Sequence, residues 1–75
     1  MVFETIRELL AEQAGFDESR ISPATSLSDD LELELMDLEE VMILLEEEYP
    51  IEWTEEDITG LETVDDLTVF IENQI

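Results

Sequence analysis

The sequence has no cysteine, lysine or histidine, and only two cations, Arg7 and Arg20, stand against 23 aspartates and glutamates. The absence of cysteine removes disulfides, thiolate metal sites and cysteine nucleophiles together. A net charge of −21 argues against nucleic acid and anionic membranes as partners, since both need the Lys and Arg that phosphate contacts require. A basic protein surface is the natural complement. No apolar run approaches the roughly 20 residues of a membrane span, and the start lacks the basic-then-apolar pattern of a signal peptide. A cytoplasmic monomer is the expectation.

What is present argues for a folded chain: 44% of the residues are hydrophobic, too many for a solvated coil even with 33% charged. Seventy-five residues make one domain, spanning 1–75. A chain of this size buries only roughly 60% of the surface its unfolded form exposes, so the core is thin. The carboxylates also repel one another, and added salt or magnesium is expected to raise the melting temperature by screening them. A melting temperature that stays flat or falls with magnesium would contradict this.

Apolar residues at spacings of three and four predict the helices. Phe3, Ile6, Leu9, Leu10 and Ala14 form one stripe, which Gly15 ends. A loop rich in Asp, Ser, Thr and Pro follows, with Phe16, Ile21 and Leu27 spaced to pin it to the core. A second helix runs from about Leu35 to Tyr49, with Leu38, Val41, Met42, Leu45 and Tyr49 inward, and Pro50 ends it. Thr54 and Asp57 pattern as the reciprocal cap of a short third helix closed by Gly60. Thr63 and Asp66 begin the last, which turns Val64, Leu67, Phe70, Ile71 and Ile75 inward. The fold class is all-α, a four-helix bundle of three longer helices and one short one with a long first loop.

The outer face of the second helix is the most informative surface. Opposite Leu38, Leu45 and Tyr49 lie Met36, Glu40, Ile43 and Glu47, so apolar residues interrupt an acidic face. One reading is a docking strip with apolar anchors and steering carboxylates. The other is ordinary scattered exposure, with Met36 closing the end of the core. Asp37, Glu39 and Glu40 suit the positive start of the helix dipole, whereas Glu46, Glu47 and Glu48 sit at its negative end and are not explained by local electrostatics. Close carboxylate pairs are inevitable at this composition and do not point to catalysis. Ser28, Asp29, Asp30, Glu32 and Glu34 lack the spacing and central glycine of a calcium loop. Trp53 reads as a core or seam residue beneath the third helix.

The order of elements and several strings together resemble the acyl carrier proteins over nearly all of residues 3 to 75. Thr25-Ser26-Leu27-Ser28-Asp29-Asp30-Leu31 looks like the family's approach to helix two. Met42-Ile43-Leu44-Leu45-Glu46-Glu47-Glu48-Tyr49 looks like that helix's end, and Ile58 to Ile71 looks like the last two helices. The resemblance implies a serine, in an Asp-Ser-Leu motif opening helix two, that carries 4'-phosphopantetheine. The matching residues here are Glu34, Leu35 and Met36, followed by Asp37. Leucine has no hydroxyl, so no phosphopantetheine cofactor is expected on the chain as written. Glu32 stands where the family commonly has glycine, so the approach to helix two is expected to differ in backbone shape.

The resemblance therefore implies a non-enzymatic docking module for carrier-recognising enzymes of fatty acid or polyketide synthesis. Its partners would be basic surfaces of acyl-transfer or synthase enzymes and a phosphopantetheinyl transferase. The contact residues expected are Glu34, Met36, Asp37, Glu39, Glu40, Ile43, Glu46 and Glu47. Two alternatives stay open: an ordinary carrier bearing a substitution at Leu35, and a non-covalent binder of acyl chains or other apolar ligands.

Overall fold

The computed structural model describes residues 2–75. Four α-helices form in order: α1 (Val2–Ala14), α2 (Leu35–Glu48), α3 (Glu55–Thr59) and α4 (Val64–Glu72), with a 3₁₀ turn at Glu18–Arg20 in the first loop. Helix α1 packs on α4 and α2, and α2 also meets α3. Ile6 and Leu10 of α1, Val41 and Leu45 of α2, Ile58 of α3, and Val64, Leu67 and Ile71 of α4 are sealed from solvent in one core. Helices α1, α2 and α4 thus contribute the apolar stripes that their 3.6-residue period predicts, and α3 adds Ile58 alone.

The helix ends follow their local chemistry. Gly15 takes a left-handed φ of 71°, and the Phe16 amide reaches back to the Ala11 carbonyl at 3.0 Å, closing α1. Thr54 accepts from the Asp57 amide at 3.2 Å while Asp57 Oδ2 accepts from the Thr54 amide at 2.9 Å, the reciprocal cap the sequence predicts for α3. Thr63 and Asp66 repeat the arrangement at α4. Asp66 Oδ2 also accepts from the Glu62 amide, and the backbone donors of Thr63 and Glu62 hold its carboxyl below the usual aspartate range.

The long loop is tied down more firmly than its composition suggests. Ile21 and Leu27 are buried as expected, and Phe16 packs half-buried against the core. Beyond these anchors, the Leu27 amide donates to the Glu62 carbonyl at 2.9 Å, Val64 donates to Thr25 at 3.0 Å and Asp65 to Pro23 at 2.9 Å. An isolated antiparallel bridge pairs Ser26 with Thr63. The loop is therefore clipped to the start of α4 by backbone groups that any sequence supplies.

Two inward positions need correction. Ile75 is 56% exposed, because α4 ends at Glu72 and its period does not carry three residues further. Leu33, unassigned from sequence, is buried with Leu31, while Glu32 and Glu34 face solvent. Leu31 and Leu33 point inward on either side of exposed Glu32, and the alternation of Leu and Glu was the signal, although the segment is no strand.

Glu32 adopts a φ of 54°, the left-handed conformation that glycine takes without strain. The different backbone shape expected of this approach is therefore not found: the conformation that glycine would favour is present on a residue that resists it. Glu32→Gly is expected to raise stability by about 1 kcal/mol, measured by urea unfolding, through relief of this strain. A loss of stability would show that the Glu32 side chain makes a compensating contribution.

Candidate functional site

The candidate site begins where the clipped loop delivers the chain to α2. The Leu33 amide donates to the Leu27 carbonyl at 3.0 Å, which turns the chain toward the helix start. Glu34 is the residue before the first turn, and its amide donates to Asp37 Oδ2 at 2.9 Å. Asp37 thereby satisfies a helix-start donor and places negative charge at the positive end of the dipole. Leu35 is the first helical residue, half-buried against the core cluster. Its side chain is pure hydrocarbon, so the opening turn of α2 presents carboxylates and a thioether but no hydroxyl.

Inner and outer faces of α2 separate cleanly. Leu38, Val41, Met42 and Leu45 are buried, whereas Met36 is 77% exposed and Ile43 53% exposed. Met36 therefore does not close the end of the core, and that reading of it is overturned by its exposure. At 100° per residue Met36, Glu40, Ile43 and Glu47 fall within an arc of about 60°, and they extend over about 16 Å of helix. Glu40 and Glu47 are exposed in the same strip, and Glu39 lies half-buried beside it. Two large apolar side chains left in water within an acidic face make a composite surface with both buried-contact and steering potential.

Glu46 behaves differently from its neighbours. Its carboxylate accepts the indole Nε1–H of Trp53, so it belongs to the seam between α2 and the connection to α3. Trp53 itself is half-buried against the core, as a seam residue. This pairing accounts for one of the three glutamates at the negative end of α2, which helix electrostatics alone did not explain. The sequence signal was slight, a lone Trp seven residues after a carboxylate with a proline between them.

Among the described residues, no group of three or more carboxylates is arranged to hold a metal ion, and no helix is long and apolar enough to cross a membrane.

Known proteins resemble the chain over nearly its whole length. Residues 4–71 match the family described as "Phosphopantetheine attachment site". The chain is 35% identical over 71 residues to the acyl carrier protein of Clostridium acetobutylicum, covering 95% of this chain and 92% of that protein. It is 33% identical over 73 residues to the acyl carrier protein of Solidesulfovibrio magneticus, covering 97% and 94% respectively.

Proposed function

The chain belongs to the phosphopantetheine-attachment family of acyl carrier proteins, and on that premise we propose that it is a single carrier-like domain, residues 1–75, that docks on carrier-recognising enzymes without bearing the carrier arm. The observation that carries the reading is the contrast between Leu35 and the rest of α2. Met36 and Ile43 stand exposed in an acidic strip, as a docking face requires. Leu35, at the first turn, offers nothing that a phosphodiester could be built on. The residues present do not fit covalent attachment of 4'-phosphopantetheine at this position, and the docking proposal does not need it.

The physical division of labour follows from the side chains. Glu40 and Glu47 raise the encounter rate with a basic enzyme surface, and Met36 and Ile43 supply the dehydrated contact that holds the complex. The enzymes expected to recognise it are acyl transferases and synthases of fatty acid or polyketide synthesis, and phosphopantetheinyl transferases, all encountered in the cytoplasm. The domain itself supplies recognition and no catalytic group.

Stopped-flow association with a phosphopantetheinyl transferase separates the two roles. Charge reversal of Glu40 and Glu47 to lysine is expected to slow association several-fold at low salt and to flatten its salt dependence. Ile43→Ser is expected to act on dissociation, by roughly tenfold, the effect of losing about 1.4 kcal/mol of buried contact. Unchanged rates and salt dependence in the double charge reversal would remove α2 as the docking face.

A further inference from the structure

The chain has no thiol, so its methionine thioethers are the only sulfur that an oxidant can meet. Of the three methionines, Met1 lies outside the described residues, Met42 is 1% exposed in the core and Met36 is 77% exposed on α2. One helix thus holds a sealed thioether and an open one. Met36 stands outside the core cluster, and the cap that opens α2 is made by Glu34 and Asp37 without its side chain. An oxygen added to its sulfur is solvated where it forms and displaces no packed neighbour.

The surroundings favour one class of oxidant. With a net charge of −21 and exposed Glu40 and Glu47 along the same face, anionic oxidants are repelled, whereas neutral hydrogen peroxide meets no such barrier. The sulfur lone pair attacks one peroxide oxygen, and the O–O bond breaks as the S–O bond forms. The departing hydroxide takes the proton left on the transferred oxygen and becomes water. The thioether is oxidised to a sulfoxide and the peroxide is reduced to water, which converts a flexible apolar side chain into a polar one.

We propose that Met36 is a site of reversible peroxide modification whose sulfoxide switches off the outer face of α2 and leaves the fold intact. The switch rests on the reading of α2 as a docking face, because Met36 is one of the two exposed apolar anchors of that face. A partner surface that buries a thioether would bury the sulfoxide oxygen without a hydrogen bond, and that desolvation opposes binding. Reversal falls to a thiol-dependent sulfoxide reductase from outside, since the chain has no cysteine of its own.

The test treats the full chain with hydrogen peroxide, locates the added oxygen by peptide mass mapping, and follows binding to a phosphopantetheinyl transferase by stopped flow. Met36 is expected to be oxidised before Met42 with the melting curve retained, and the complex to dissociate roughly tenfold faster. Methionine sulfoxide reductase is expected to restore the original rate. Met36→Leu is expected to show one dissociation rate before and after peroxide, whatever its starting value. Oxidation of Met42 first, with loss of the folded state, would overturn the switch, as would equal peroxide sensitivity in Met36→Leu. Unchanged dissociation of the Met36 sulfoxide, alongside slower association of the Glu40→Lys, Glu47→Lys double variant, would overturn the switch and leave the docking face standing. No binding by the untreated chain would remove the docking reading and the switch with it.

Discussion

Replacing Leu35 with serine is expected to turn a chain that gains no mass into one that gains a phosphopantetheine group, when each is incubated with coenzyme A and a phosphopantetheinyl transferase and read by intact mass. The effect is all or none, because a phosphodiester requires an oxygen nucleophile and the leucine side chain has only carbon and hydrogen. The substitution is mild for the fold. Leu35 is half-buried at the first helical position, so the apolar surface it gives up costs on the order of 1 kcal/mol, and serine is well tolerated at a helix start. Modification of the serine variant alone would mean that the transferase still recognises the docking face and only the acceptor is absent. A folded serine variant that stays unmodified would argue against docking on this enzyme. Modification of the unaltered chain would refute the assignment of Leu35.

Leu45→Ala is expected to produce the largest loss of stability among single changes on α2, about 3 kcal/mol by urea unfolding. Leu45 has no exposed surface, and its truncation removes both the transfer energy of the side chain and the packing around the space it leaves. A 75-residue domain holds roughly 4 to 11 kcal/mol in total, so this one change removes a large share. Ile43, two residues earlier on the outer face, is expected to behave in the opposite way, with Ile43→Ser altering dissociation from a partner and stability by less than about 0.5 kcal/mol. The pair tests whether one helix divides its inner and outer faces between folding and recognition. Similar stability losses at both positions would show that the outer residue also supports the core.

The helices were legible because their signals are local and repeated. The apolar stripes of α1, α2 and α4 and the Thr–Asp caps at Thr54 and Thr63 follow from spacing alone. The outer strip on α2 was legible for the same reason, since inward Leu38 and Leu45 fix the direction in which Met36 and Ile43 point. The clip between Leu27 and Glu62 was not, because it is made by main-chain groups that leave no mark in a sequence. The Trp53 indole bond to Glu46 was missed because it joins two elements whose relative placement only the packed core sets. Ile75 was assigned inward by extending a period past the last turn, and helix ends are the part of such patterns that sequence marks least.

The bridge between Ser26 and Thr63 also bears on how the molecule assembles. Its partners lie roughly 37 residues apart, and closing such a span costs about 3 kcal/mol of chain entropy beyond a fixed term. Helices α2 and α3 lie wholly inside that span, so both can form from nearby contacts before its ends meet. The packing of α1 on α4 joins residues still farther apart in sequence, so the clip closes a smaller loop inside the one that those two helices close. The clip holds the start of α4 to residues 23–27, and the bond from the Leu33 amide to the Leu27 carbonyl carries that restraint on to the start of α2.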